Sequence, residues 1–266
     1  MFRNLFVKRR RNQYGWFGNY SSWAEVVREA DGYDADVILE RTKNAILKVK
    51  NGEAVYERDS VLLDKKEYPF PLITFLLNSA NLKGEALHVL DFGGSLGSTY
   101  YQVKEFLTEK VCASWNVVEQ EHYVACGNQH FKDDVLTFHN SIDACLELKR
   151  IDLVIVSSSV QYLEKPHDFL EQLGAYNFQF LLFDRTAFHN GEEDRLTLQK
   201  VPPEIYPASY PSWFFNEKNF LTHFSGQYTT VAEFTSYVKG EETMLIDGIQ
   251  SAYDKGFYLI NLSTHA

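Results

Sequence analysis

Residues 86–102 read ALHVLDFGGSLGSTYYQ. An apolar, strand-forming run ends in an acid, Asp91. A glycine-rich turn follows, with Gly93, Gly94, Ser95 and Gly97, and then a segment from Ser98 that can form a helix. Strand, glycine turn and helix in this order open a βαβ unit. From here the alternation continues. Strands are expected at 87–92, 114–119, 135–139, 152–157 and 178–184, with helices notably at 98–108 and 165–174. That alternation predicts a parallel, doubly wound sheet. After residue 226 the chain changes character. "QYTTVAEFTSYV" and "GFYLINL" are β-branched and aromatic, and are expected to pair as antiparallel edge strands.

The 266 residues suffice for one large α/β domain or a domain with an extension, and 45% hydrophobic residues allow a substantial core. A net charge of -10 argues against a nucleic-acid partner, because phosphate contacts need a basic surface. Cys112, Cys126 and Cys145 show no C-x-x-C pairing, which points to reduced, buried thiols and a cytoplasmic setting. No apolar run reaches the ~18 residues a membrane span needs. Near the start, Phe2, Leu5, Phe6 and Val7 precede Lys8, Arg9, Arg10 and Arg11. The apolar part is too short for a signal peptide and lies on the wrong side of the basic cluster. The segment can touch an anionic membrane surface from the cytoplasmic side, or it is a solvated terminus.

Residues 12–82 read as a helical lead-in, which divides the chain into an extension at 1–82, a lid or a membrane contact, and a ligand-binding domain at 83–266. In "DGYDADVILERTKNAILKVKNG" Asp34 can cap a helix, Asp36 sits in its first turn, Lys48 and Lys50 in its last, and Gly52 ends it. Asp34-Ala35-Asp36 is similar to the metal motif of some glycosyltransferases. Capping explains it better, and no metal ligand is assigned. "YPFPLITFLLNSANLKG" predicts a buried helix before the first strand.

Three readings compete for the glycine turn. A P-loop needs G-x-x-x-x-G-K-[ST], and no Lys follows. A dinucleotide fingerprint needs G-x-G-x-x-G, whereas this turn reads G-G-x-x-G with an acid two residues before the first glycine. An anion there suits a ligand with an ammonium group better than a pyrophosphate. S-adenosylmethionine is such a ligand, with an α-amino group, a carboxylate, a sulfonium and no phosphate. Gly93, Gly94, Ser95 and Gly97 would let the backbone approach it, and Asp91 would take the ammonium side. "ASWNVVEQ" ends a second strand at Glu119, an acid that can accept both ribose hydroxyls, as it also would for a nicotinamide cofactor. After the third strand, Ser141 or Asp143 is a candidate for the adenine edge. The fourth strand leaves the sheet at Ser157-Ser158-Ser159, in the crevice where open α/β sheets bind ligands. Gln161 and Tyr162 follow, near where a transferable methyl would lie, with helix capping as the competing role. No Asn/Asp-Pro-Pro-Tyr stands there, as amino-directed nucleic-acid methyltransferases would show.

Candidate acceptor residues lie after the fifth strand. In "FDRTAFHNG", His189 or Asp184 could take a hydroxyl proton, and Arg185 could clamp an acceptor carboxylate or phosphate. "VPPEIYPASYPSWFFNEKNF" is too rich in proline for a central strand and reads as a rigid loop over the sheet edge. Its Tyr206, Tyr210 and Trp213 could stack on a sugar ring or wall in a sulfonium. Packing on Trp16, Phe17, Tyr20 and Trp23 is the structural alternative.

Long strings of the chain together resemble a family of bacterial methyltransferases often encoded in surface-polysaccharide (O-antigen/capsule) gene clusters. They include "YGWFGNYSSWAEV", "GYDADVILERTKNAILKVKNGEAVYERDSVL", "LDFGGSLGSTYYQ", "WNVVEQ", "SSSVQYLEKP", "LLFDRTAF" and "VPPEIYPASYPSWFF". The resemblance implies a Rossmann-like class I methyltransferase fold, a mixed seven-stranded sheet with helices on both faces, and S-adenosylmethionine binding, with no departure at the cofactor positions. Its gene context implies methylation of a sugar or other small polar acceptor in surface-glycan synthesis. Two other functions compete. An NAD(P)-dependent sugar oxidoreductase or epimerase would need G-x-G-x-x-G and usually Tyr-x-x-x-Lys, and Tyr100 and Lys104 fall in the wrong helix for that pair. A non-catalytic glycan-assembly module would keep the fold without turnover.

Overall fold

In a computed structural model, residues 13–32, 35–58 and 60–265 are described. The basic N-terminal cluster at 8–11 and the capping candidate Asp34 lie outside them. The chain opens with strand β1 (Gly15–Tyr20), helices α1 (Trp23–Glu29) and α2 (Ala35–Lys50), strands β2 (Tyr56–Arg58) and β3 (Val61–Leu63), and helix α3 (Phe70–Lys83). Alternation follows through β4 (Leu87–Phe92), α4 (Ser98–Val103), β5 (Cys112–Val118), α5 (Glu121–His130), β6 (Leu136–His139), α6 (Ile142–Leu146), β7 (Leu153–Ser157), α7 (Pro166–Ala175) and β8 (Phe180–His189). The last part holds β9 (Arg195–Val201), β10 (Ala208–Phe214), α8 (Glu217–Thr222), β11 (Tyr228–Thr235), β12 (Met244–Ile246) and β13 (Ile249–Asn261).

The five strands expected to be parallel run in the order β6-β5-β4-β7-β8, and every neighbouring pair is parallel. β13 lies antiparallel to β8, and β11 pairs antiparallel with β13. An antiparallel strand inserted beside the last parallel one gives the seven-strand order of the class I methyltransferase fold. Both faces of the central strands are buried, so they are almost wholly apolar. In β7, Leu153 and Ile155 face one core with Leu72 and Leu76 of α3; Val154 and Val156 face the other with Leu170 and Leu173 of α7. The alternation is the two-residue period of a strand.

The sheet does not stop at seven strands. The far half of β13 pairs with β12, and the sheet continues through β1, β9 and β10 to eleven strands. Two expectations are corrected here. The lead-in is not purely helical: β1 is a sheet strand, β2 and β3 form a hairpin, and α3 shares a core with β4 and β5. The proline-rich 201–220 segment is not a loop. It holds β10, whose Pro211 lies opposite Leu198 of β9. β10 is the edge of the sheet, where a residue without an N–H is tolerated.

β8 also runs five residues past its expected end, because antiparallel β13 pairs with it from Phe180 to His189. Arg185 sits where this register shifts, with φ 49°. Among the described residues no helix is long and apolar enough to cross a membrane.

Candidate functional site

The carboxyl ends of β4, β5, β7 and β8 open into one cleft of three compartments, whose linings share Ser158 and Tyr206. The first compartment is built on the glycine turn. Asp91 ends the buried part of β4, is 1% exposed, and accepts the Trp115 indole N–H on Oδ2 at 3.0 Å. Burial, with the nearby Glu119 charge adding to it, pushes this carboxyl up to about 7 against the pull of the Trp115 bond. Gly94 must lack a side chain, since a Cβ there would lie 2.5 Å from Asp91 Cγ and Oδ2. Gly93, at φ 71°, is equally constrained, with a Cβ position 2.6 Å from that of Ser159. The turn is thus packed against its own acid and against the end of β7.

The second compartment lies at the carboxyl ends of β4, β5, β6 and β7 and is also lined by α1 and β10. Glu119 accepts the backbone N–H of Gln120 at 2.8 Å, and that of Ser95 from the glycine turn. Burial raises its carboxyl, with these two donors opposing the rise. Phe92 and Leu163 supply apolar wall, and His122 and Asn140 supply polar groups beside Glu119. Ser95 and Ser158 hold φ of 55° and 49° where they line the cleft. Non-glycine residues with positive φ are strained, and such strain gathers at ligand sites.

Several candidates meet here, and others do not. Asp91, Gly93, Gly94, Ser95, Ser157, Ser158, Asp184 and Arg185 line the first compartment, and Glu119 the second. Gln161 and Tyr162 line the third compartment with Arg185, Tyr206 and Tyr210. Gly97 lines none of them. It stands at φ 90° as the N-cap of α4 and shapes the turn. Ser141 is also away from the cleft, since its hydroxyl caps α6 by accepting Ala144 N–H at 3.0 Å, and its neighbour Asn140 faces the compartment instead. Trp213 lines no compartment. Its indole donates to Leu163 O at 3.1 Å and ties β10 to the turn after β7.

His189 is the largest departure. It ends β8, five residues beyond Asp184, and its ring is held by Glu193 O at 2.7 Å and by Gly191 N–H at 3.2 Å. It lines none of the three compartments and is not placed to take a proton in the cleft. Asp184 is placed there. It is 2% exposed, accepts the Ser157 hydroxyl at 2.9 Å, and is raised to about 6 by burial, against the opposing Arg185 charge. Arg185 does not hold a free fork toward the cleft. Its Nε and Nη2 donate to Glu241 Oε2 and Oε1 at 2.9 and 2.7 Å.

Sequence reasoning missed Glu57, which is 3% exposed beside the turn. It accepts Ser98 Oγ at 2.9 Å and Ser60 N at 2.6 Å. Nothing in "YERDS" marks it, because only the hairpin brings it there. Asp254 and Glu241 were also missed, since Asp254 reaches the cleft through the pairing of β13 with β8, and Glu241 through its bonds to Arg185 and to the Asp254 N–H. Asn140 and His122 had a signal: each stands at or just after a strand end on the ligand side.

No family model and no curated protein matches the chain. Solved structures with a similar course of the chain include magnesium protoporphyrin IX methyltransferase (ChlM) from Synechocystis PCC 6803 with bound SAM, at 13% identity, 71% of this chain and 76% of that one, and TM-score 0.44. The N-terminal domain of EvdMO1, in the presence of SAH and D-fucose, shares 13% identity over 86% of this chain and 97% of its own, with TM-score 0.46. An S-adenosylmethionine dependent methyltransferase from Mesorhizobium loti shares 10% over 71% and 96%, with TM-score 0.44. At these identities none of them lends its ligand or acceptor to this chain. The class I methyltransferase fold rests on the strand order described above.

Proposed function

We propose that the chain is an S-adenosylmethionine-dependent methyltransferase acting on a hydroxyl of a small polar acceptor. One observation supports this most. The buried Asp91 and the half-buried Glu119 border a glycine turn closed so tightly on Asp91 that a Cβ at Gly94 would meet the carboxyl. A pyrophosphate on the turn would lie beside Asp91 and be repelled by its charged form, whereas Glu119 at a ribose suits either cofactor. An ammonium ion is matched by one of the two acids and a ribose diol by the other. The residues therefore fit S-adenosylmethionine better than a nicotinamide dinucleotide.

When bound, S-adenosylmethionine would supply a sulfonium methyl to an acceptor oxygen, the C–S electron pair staying on sulfur and the hydroxyl proton leaving. Asp91 would hold the ammonium side, Glu119 the ribose hydroxyls, and Phe92 and Leu163 would wall the adenine with Asn140 at its edge. Asp184, held by Ser157 at the cleft floor, is the carboxyl best placed to receive a proton. Tyr206 and Tyr210, with hydroxyls 3.3 Å apart, would help exclude bulk water, which favours transfer between aligned groups. The family resemblance makes sugars the first acceptors to try, with surface-glycan synthesis as the setting and the cytoplasm as the place. Peripheral membrane contact would depend on the basic N-terminus.

Equilibrium dialysis with labelled S-adenosylmethionine, beside an NADH fluorescence titration, tests the assignment. Saturable binding of the first and none of the second supports it. NADH binding alone would move the chain to the oxidoreductases. No binding of either would favour the non-catalytic module.

A further inference from the structure

The third compartment is a chamber of about 410 Å³ between the end of β7, the bend in β8, and strands β9 and β10. Its lining concentrates unusual atoms. Among the described residues seven buried side-chain polar atoms lack a hydrogen-bond partner, and four of them belong to residues that line this chamber: Gln161 Oε1, Gln199 Oε1, Ser212 Oγ and Asp254 Oδ1. Buried polar atoms are nearly always paired, so a cluster of unpaired ones demands an explanation. Gln161, Ser212 and Asp254 are 3%, 1% and 5% exposed, so bulk water does not satisfy them.

Gln161 is oriented by its own bonds, and the other three residues stand on paired strands. The Gln161 amide nitrogen donates to Arg185 O at 3.2 Å and Ser158 Oγ at 3.3 Å, which sets where its carbonyl oxygen points. Ser212 sits in β10 opposite Thr197, whose hydroxyl donates to Ser212 O at 2.8 Å. Asp254 sits in β13, its N–H bonded to Glu241 O at 2.7 Å. Two of the four atoms are amide carbonyls, which only accept. The ligand that completes them therefore brings several donors on a compact frame.

The charges narrow the ligand further. The Arg185 fork is engaged by Glu241, so among the described residues the chamber has no buried free cation to meet an anion. Lys200 is exposed and lies over the Phe17 ring, 5.9 Å from its centroid. Burial, with the neighbouring Glu241 charge adding to it, raises Asp254 well above the usual carboxylate range, and the two carboxyls share a side-chain hydrogen bond. Tyr162 and Tyr210, packed edge to face at 5.6 Å, give aromatic wall. An aromatic wall with fixed amide and hydroxyl groups suits a ring with hydroxyls on its edge.

We propose that this chamber binds a neutral, hydroxyl-rich ring through Gln161, Gln199, Ser212 and Asp254, and discriminates against carboxylated or phosphorylated analogues. That this ring is the methyl acceptor rests on the methyltransferase reading above, since the chamber meets the cofactor compartments at Ser158 and Tyr206. The binding site itself does not depend on that reading.

The test is saturation-transfer NMR on the full chain, with and without S-adenosylhomocysteine. The probes are methyl α-D-glucoside, methyl α-L-fucoside and myo-inositol, against D-glucuronate and glucose 6-phosphate. At least one neutral ring is expected to bind, and the anions about tenfold more weakly or not at all. Gln199→Leu and Ser212→Ala are each expected to weaken that binding about tenfold, leave S-adenosylhomocysteine affinity within about twofold, and raise the melting temperature of the free protein by roughly 2–4 °C. The stability gain separates the two roles, because a structural polar group loses stability when removed. Absence of transfer to every neutral ring, equal binding of glucuronate, or a lowered melting temperature with unchanged ring binding would overturn the proposal. Failure of S-adenosylhomocysteine to bind, with ring binding intact, would overturn the methyltransferase reading and leave the chamber standing.

Discussion

Replacing Asp91 with asparagine keeps the shape of a side chain that is 1% exposed and removes its charge. The amide oxygen can still accept the Trp115 indole N–H. Burial raises the native carboxyl from 3.8 to about 7. The folded chain therefore holds a proton that the unfolded chain releases between about pH 4 and pH 7. Stability from this group is full below the unfolded value, is lost as the pH rises toward the folded one, and is level above it. Raising the group from 3.8 to about 7 corresponds to about 4 kcal/mol, at about 1.36 kcal/mol for each pH unit. At pH 5 only about 1.6 kcal/mol of that has been lost, and at pH 8 all of it has. The asparagine has no charge to bury, so Asp91→Asn stabilises the ligand-free protein by roughly 2–3 kcal/mol more at pH 8 than at pH 5. Urea unfolding of both proteins, followed by tryptophan fluorescence at pH 5, 6, 7 and 8, reads the difference. A gap between the two proteins that stays constant over these pH values would show that Asp91 is not held protonated by burial.

In Gly94→Ala, the new Cβ would lie 2.5 Å from Asp91 Cγ. Calorimetry should show loss of S-adenosylhomocysteine binding, and thermal unfolding a cost of about 1–3 kcal/mol. Lys83→Met removes the ammonium 2.6 Å from Asp152 Oδ2 at the amino-terminal end of the sheet. Denaturation should show a loss of about 3–5 kcal/mol, because a buried carboxylate loses its partner, while ligand affinity of the folded fraction stays unchanged. Arg185→Met leaves Glu241 without its bidentate partner, and in the native protein that partner holds the carboxyl below its usual range despite burial. The variant should be destabilised more at pH 8 than at pH 5, where Glu241 can take a proton, as paired melting curves would show.

The parallel half of the fold was legible because buried strands advertise themselves. "IDLVIVS" and "LHVLDF" are apolar on both faces, and the acid and glycine turn after the second of them mark where the cleft opens. The outer strands of the sheet were not legible in the same way. β1 carries glycines at 15 and 18, and β10 contains Pro211, so local propensity argued against strands that tertiary pairing nevertheless forms. The same pairing explains the uneven reading of the site. Asp91, Glu119, Ser158 and Asp184 follow from strand ends, which sequence can place. His189 was misplaced because β8 continues along β13 and takes it out of the cleft. Arg185 has the expected position but not a free fork, since its partner Glu241 is distant in sequence. Gln199 and Ser212 lie on strands whose association no local pattern announces, and Asp254 lies just before the part of β13 that its aromatic run marks.

The methyltransferase reading depends on an S-adenosyl amino acid binding between Asp91 and Glu119. Calorimetric titration of S-adenosylhomocysteine into the wild type and into Glu119→Ala is the decisive experiment. Saturable one-to-one binding by the wild type is predicted, weakened at least about tenfold in the variant, since bonds to a charged group contribute roughly 1.5–3 kcal/mol each. A folded wild type that does not bind, or a variant that binds as tightly as the wild type, would contradict that assignment.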